Sequence, residues 1–381
     1  MVKINNYNDL PLMQEKEGTV LFYPHVPKSA KFSVNETLDS RWIGEGPKVK
    51  LFEKKFKKKF NIKGECLAVG SGTDALHLAF ILAGIKKGDE VLCPLFTCTA
   101  TNIPLLYIGA KIKFVDIDKK TLNISIEDLK KKISKKTKAI VCIHYGGLPC
   151  DMNGILEIAK KFNIKVIEDA AHALGSKYNN NYIGNISDFT IFSFQSIKHL
   201  TTGDGGMLVI KNKNLIAKAR RLRWFGIDRE KKQKGIWEND IKEIGYKYQM
   251  TDISAAIGLS GLKNYFNTLK YRKLLYMQYV KNLNSFSRVK ICDDFDKKKK
   301  IAPWLFTIFV SERRELEKKL RANKIESGQT HYRNDRYSIF KSKNIYKNMD
   351  RVESKYLVLP LHTKMTISDV DKICSIIKSG W

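Results

Sequence analysis

No stretch of this sequence is apolar for long enough to cross a membrane, which takes roughly 18 residues. The longest run, residues 75–85, already contains His77. The opening MVKINNYNDL has neither an apolar core nor a small-residue cleavage site, so no secretory leader is expected and the cytoplasm is the expected compartment. The seven cysteines, Cys66, Cys93, Cys98, Cys142, Cys150, Cys292 and Cys374, are scattered, odd in number and free of any C-x-x-C. That pattern argues against a disulfide framework and against a metal centre built from closely spaced ligands. Reduced, mostly buried thiols and no metal are expected.

Acidic residues are also scarce: 39 Asp and Glu face 69 Lys and Arg, a formal charge of +30. Nucleic-acid binders gather such an excess on one surface. Here it is spread along the chain. In residues 48–60, Val49, Phe52, Phe56 and Phe60 recur at helical spacing and leave the lysines on the solvated side of an amphipathic helix. Residues 130–132 close another such helix, and 297–300 lie in a charged loop. No nucleic-acid site is expected; a positive field would instead help gather an anionic substrate.

Apolar residues make up 43% of 381 positions, enough for a large core and a second, smaller domain. Candidate strands at 66–69, 90–93, 113–115, 139–143, 165–168, 189–193 and 207–210 alternate with helical patterns, notably 73–83, 126–133 and 152–162. Such alternation predicts an α/β fold, a largely parallel sheet covered by helices, with ligands bound beyond the carboxyl ends of the strands. After residue 258 the pattern becomes a long helix over 262–283, a strand over 304–310, a charged helix over 312–323 and a last helix over 367–377. The expected division is 1–258 for an N-terminal arm and large domain, and 259–381 for a small one.

Three segments that follow strands could carry chemistry. Gly70-Ser71-Gly72-Thr73 opens an apolar helix; glycines let amides crowd an anion and the helix start adds partial positive charge, although the same turn also serves as a simple cap. Asp169 ends an apolar run before Ala170-Ala171-His172. It could lie under a flat heterocycle and pair with a ring nitrogen, or merely cap the next segment. Lys198, between Ser193 and a glycine-rich turn, could reach into a pocket, where burial would lower its pKa toward the neutral, nucleophilic form.

Read together, GSGTDALHLAF, EDAAHALGS, SFQSIKHLTTGDGG and YKYQMTDISAAIGLSGL resemble the DegT/DnrJ/EryC1/StrS family of sugar aminotransferases in order and spacing, from near Trp42 to LPLHTKMTISDVD. The resemblance implies a fold-type I pyridoxal-phosphate enzyme, with a mostly parallel seven-stranded sheet in the large domain and a smaller α+β domain behind it. It also implies a homodimer with sites at the subunit interface. Carried over, Lys198 would hold the cofactor as a Schiff base, Asp169 would pair with the pyridine nitrogen, and His172 would lie near the ring. Gly72, Thr73 and Ser193 would bind the phosphate, and Gln249, within Lys247-Tyr248-Gln249, would reach the phosphate of the partner subunit.

The sequence departs from the family pattern at three places. Cys98 stands where many members place a stacking aromatic, Gln195 where they often have His or Tyr, and Tyr248-Gln249 where Tyr-Arg is usual. The implied reaction moves an amino group from an amino acid, expected to be glutamate, to a nucleotide-linked keto-deoxysugar. The TTGDGG turn favours C4. Gln195, His331 and Tyr332 are candidate substrate contacts. Members that act as sugar dehydratases carry His in place of the lysine; here His199 follows Lys198, and the IKHLTTGDGG spacing assigns the role to Lys198. A non-catalytic regulatory or nucleic-acid-binding protein on the same fold is the remaining alternative.

Overall fold

Short apolar runs buried on both faces suit a sheet covered on two sides. The computed structural model describes residues 10–238, 240–340, 342 and 344–381. It pairs seven such runs: β1 Glu65–Val69, β2 Glu90–Pro94, β3 Lys111–Val115, β4 Thr137–Ile143, β5 Lys165–Asp169, β6 Phe189–Ser193 and β7 Gly206–Ile210. Their spatial order is β1-β7-β6-β5-β4-β2-β3. β7 runs antiparallel to both its neighbours, and the other pairs are parallel. The expected α/β fold and mostly parallel seven-stranded sheet are thus observed.

Successive strand residues point to opposite faces, and the burial obeys this alternation. Leu67, Val141, Ile167, Ile191 and Leu208 belong to one buried cluster, whereas Ala68, Ile140, Val166, Phe192 and Val209 belong to another. Helices α1 Ser29–Leu38, α2 Pro47–Lys59, α3 Gly72–Leu82, α4 Thr99–Ile108, α5 Ile126–Lys132, α6 Met152–Phe162, α7 Ile216–Arg223 and α8 Arg229–Gln233 accompany this sheet. Helix α3 adds Leu76, Leu78 and Phe80 to the first cluster; α2 and α6 add Phe52, Phe56, Ile155 and Ile158 to the second.

The long helix expected over 262–283 is two helices, α9 Asp252–Lys263 and α10 Tyr265–Leu283, broken at Asn264. The apolar period continues across the break, so the pattern alone reads as one helix. Residue 258 lies inside α9. The buried Asp252 carboxylate accepts the amides of Gly46, Lys48 and Val49 at 2.9–3.0 Å, which caps α2 and ties α9 to it.

A third cluster, including Leu275, Tyr279, Phe306, Leu357 and Ile373, forms around β8 Val289–Ile291, β9 Phe306–Val310 and β10 Tyr356–Leu359 with α10, α11 Arg313–Ala322 and α13 Ile367–Lys378; α12 Lys347–Val352 precedes β10. The strand expected from residue 304 begins at Phe306, because the Trp304 and Leu305 amides both turn to Gly146 O. In the segment expected as a charged loop, Lys299–Lys300 pairs with Lys177–Tyr178. An N-terminal stretch lies on this second sheet's side: Leu21 N–H donates to Glu326 at 2.7 Å, and Val20 O meets His362 Nε2 at 2.9 Å.

The amphipathic reading of α2 yields a stability test. Phe56 is fully buried against Phe52, Phe60, Phe192 and Phe194, so Phe56→Ala should cost about 3–5 kcal/mol. Lys55→Ala, on the exposed face, should stay within about 0.5 kcal/mol. Urea unfolding of both variants checks the contrast.

Candidate active site

All the parallel strands end at one edge of the sheet, and the loops that leave it bring distant segments together. At that edge Gly206, the first residue of β7, pairs with both Val69 and Ser193. A Cβ on Gly206 would come within 2.4 Å of Ser71 O, so only glycine allows the two loops to close this tightly. Beyond the edge lies a cavity of about 310 Å³, lined by Gly72, Thr73, Cys98, Thr101, Asp169, His172, Ser193, Gln195, Lys198, Trp304 and His331, among others. A larger cavity of about 940 Å³ beside α2 and α7 contains none of the expected site residues.

Asp169 ends β5, with 3% of its surface exposed. Thr101 Oγ1 donates to its Oδ2 at 2.7 Å and the Ala171 amide to its Oδ1 at 3.0 Å. Burial pushes its pKa up, and these two hydrogen bonds and the Lys198 charge act against that push. Beneath it, Glu168 is fully buried yet kept ionised: burial alone would raise its pKa, but hydrogen bonds from His144, Ser187 and Thr190 lower it. His144 Nδ1 accepts the Cys150 amide at 3.0 Å, so its Nε2–H donates to Glu168 Oε2 at 2.9 Å.

The turn that carries Lys198 is stitched to itself. Phe194 N–H donates to Gly205 O, Thr202 N–H to Phe194 O, and Lys198 N–H to Gln195 O, at 2.8–2.9 Å. The half-buried lysine extends into the cavity with Nζ 3.6 Å from the centroid of the Trp304 ring. Burial lowers its pKa to about 8, against the charges of Asp169 and Cys98. His199 is turned away: it is buried, its Nε2 lies 3.0 Å from Ala302 O, and it does not line the cavity.

His172 stacks on Trp304, with centroids 3.9 Å apart, and lies nearly parallel to His331 at 5.3 Å. Burial keeps both rings neutral, His331 with a pKa of about 3. His172 Nδ1 and His331 Nε2 are buried without a hydrogen-bond partner among the described residues. At the opposite wall, Ser71 Oγ caps α3 by accepting the Asp74 amide at 3.0 Å. The amides of Gly72 and Thr73 open the helix, where first-turn N–H groups lack intrahelical partners. A Cβ on Gly72 would stand 3.1 Å from that of Ser193.

Eight expected residues therefore meet in one cavity: Gly72, Thr73, Asp169, His172, Ser193, Gln195, Lys198 and His331. Gln195 is folded onto its own turn, its amide engaged with Ser196 Oγ and the Ile197 amide. Gln249 bridges Val69 behind the Gly70 turn and is not in the lining; Tyr332 is also outside it. Thr101, Trp304 and Phe22 line the cavity without having been expected. Thr101 lies in the PLFTCTAT stretch, three residues past Cys98. Trp304 was assigned to a strand, and nothing local marks Phe22.

The chain is similar to known proteins over most of its length. The DegT/DnrJ/EryC1/StrS aminotransferase family model matches residues 26–378. GDP-perosamine synthase of Escherichia coli O157:H7 is 40% identical over 270 residues, 71% of this chain and 72% of that protein. The UDP-4-amino-4,6-dideoxy-N-acetyl-beta-L-altrosamine transaminase of Campylobacter jejuni is 32% identical over 366 residues, 92% and 94% of the two chains. The structure of a putative sugar aminotransferase, Spr1654 of Streptococcus pneumoniae, in its PLP form superposes with a TM-score of 0.88 at 28% identity, covering 95% of this chain and 98% of that one. With nearly its whole length matched and its loops converging on one cavity, the chain belongs to the DegT/DnrJ/EryC1/StrS aminotransferase family.

Proposed function

We propose that this protein is a pyridoxal-phosphate-dependent aminotransferase that moves the amino group of L-glutamate to C4 of a nucleotide-linked keto-deoxysugar, for amino-sugar and surface-glycan synthesis. The observation that carries the reading is the meeting of Asp169, Lys198, His172 and the α3 start in one cavity. The names of the two relatives mention a GDP-linked and a UDP-linked sugar, the second a 4-amino sugar. The TTGDGG turn supports the same carbon, and the net charge of +30 would favour an anionic substrate.

The residues suit the cofactor. The α3 start and Ser193 offer amides and a hydroxyl for a phosphate, Asp169 a buried carboxylate for a ring nitrogen, and His172 an unpartnered nitrogen at the cavity wall. When bound, pyridoxal phosphate supplies an electron sink for the substrate carbon. Asp169, held by Thr101 and Ala171, would keep the pyridine nitrogen protonated. Lys198, whose pKa burial lowers to about 8, would take the proton from Cα of the donor and return it on the far side of the exchange. Gln195 would need to leave Ser196 to reach the sugar, with His331 beside it. In a homodimer with shared sites, Gln249 would serve the phosphate of the neighbouring site, which accords with its position behind its own Gly70 turn.

The absorbance spectrum of the purified protein tests this directly. A visible band should disappear on adding glutamate and return on adding a nucleotide-linked 4-ketosugar. No band, or one that glutamate leaves unchanged, would overturn transamination; release of water from the sugar instead would identify a dehydratase. Lys198→Ala should lower turnover by about 10²–10⁴-fold or more.

Thr101→Val tests the support of Asp169. Without the hydroxyl the ionised carboxylate loses a charge-assisted hydrogen bond, so its pKa rises. Activity on the acid side should then fall off about one pH unit higher than in the wild type. A pH–rate profile of kcat/KM that stays in place or moves down would contradict this role.

A further inference from the structure

Lys198 is reached from the second sheet's side by one aromatic ring. Among the described residues its ammonium meets no carboxylate at ion-pair distance: Asp169 acts on it through its field, whereas the Trp304 ring is in contact, with its centroid 3.6 Å from Nζ. Trp304 is only 2% exposed and is held at every polar point. Its amide donates to Gly146 O at 2.9 Å, its carbonyl accepts from Arg272 Nη2 at 2.9 Å, and its indole N–H donates to Ile197 O at 2.9 Å. Phe22 and His172 stack with its ring at 5.5 and 3.9 Å. Ile197 is the residue before Lys198, so one indole touches both the peptide group that leads into the lysine and the lysine's amino group.

From this two-point contact we infer that Trp304 is the positioning residue for Lys198, fixing its turn through Ile197 O and receiving the amino group on its indole face whenever that nitrogen is free. The inference rests on the reading of Lys198 as the reactive amine. An indole face stabilises an ammonium over an amine, and more strongly in a desolvated pocket. It therefore opposes the burial that drives the lysine toward neutrality. The other charged or titratable groups facing Lys198 are Asp169 at the end of β5, His172 beyond it, Cys98 before α4, His331 from the segment before β10 and the adjacent His199. Asp169 and Cys98 favour the ammonium, and burial keeps the imidazoles neutral. Of these, His172 stacks on the Trp304 ring and His331 lies 6.4 Å from it.

Two roles of the ring can be separated by sign. If Trp304 only walls off water, replacing it admits water and Lys198 titrates higher. If its π face holds the ammonium, an aliphatic side chain keeps the wall but removes the partner, and Lys198 titrates lower. The test is competitive amine labelling of the full-length protein, without added cofactor, over a series of pH values, with the Lys198 peptide quantified by mass spectrometry. Trp304→Leu should lower the Lys198 midpoint by about one pH unit. Trp304→Phe, which keeps a weaker π face and the ring shape, should lower it less, and the exposed Lys55 should not move. A midpoint that is unchanged or higher in Trp304→Leu overturns the inference. Should thermal melting show that the leucine variant is unfolded, the direction of the shift in Trp304→Phe decides. Because labelling reads the free amine, its outcome is independent of whether glutamate alters the spectrum.

Discussion

A carboxylate at the buried end of the central strand is the constraint around which this molecule is arranged. Asp169 is withdrawn from water at a place where ionisation is costly, so it must be held by oriented donors. One comes from its own chain direction, the Ala171 amide, and one from α4, the Thr101 hydroxyl. Directly beneath it a second carboxylate, Glu168, takes donors from His144, Ser187 and Thr190. Neighbouring residues on one strand thus send side chains to opposite faces, each held by oriented donors. The upper one faces the cavity and the lower one locks the strand end in place.

Around that carboxylate the walls differ in character. The α3 side is a set of backbone amides, made possible by Gly72 and by the glycine that begins β7. The opposite side is a stack of flat rings, Phe22, Trp304, His172 and His331, and both imidazoles are kept neutral by burial. A planar group bearing one anionic substituent matches a pocket with amides at one end and rings along the wall. The stack also draws on four parts of the chain, the N-terminal stretch, the loop after β5, the approach to β9 and the segment before β10, so the pocket exists only when all four are docked.

The large positive charge has a plainer place in the structure. On α2 the lysines face outward and the phenylalanines inward; among the buried arginines Arg223 pairs with Glu45 and Glu53 and Arg333 with Asp335 and Glu353, while Arg272 donates to the Pro303 and Trp304 carbonyls. The excess is a property of the solvated surface and acts at a distance, where salt screens it.

The amino-acid sequence by itself determined the strands, the two-faced sheet and three separate segments that end beside it, because period-two burial and strand-end glycines leave local marks. Asp169, Lys198 and the Gly72–Thr73 turn were legible for that reason, and their order along the chain carried the family. What lacks a local mark was misread or missed. The break at Asn264 interrupts no apolar period, and Trp304 looks like the start of a strand until Gly146 takes its amide. Thr101 and Phe22 join the cavity only because α4 and the N-terminal stretch pack where they do. Which of two adjacent residues faces the cavity was likewise decided by tertiary structure: Ala302 O draws His199 aside and Trp304 receives Lys198, contacts between segments about a hundred residues apart. Local pattern encodes which face of an element is buried, but the partner that meets that face is set by packing.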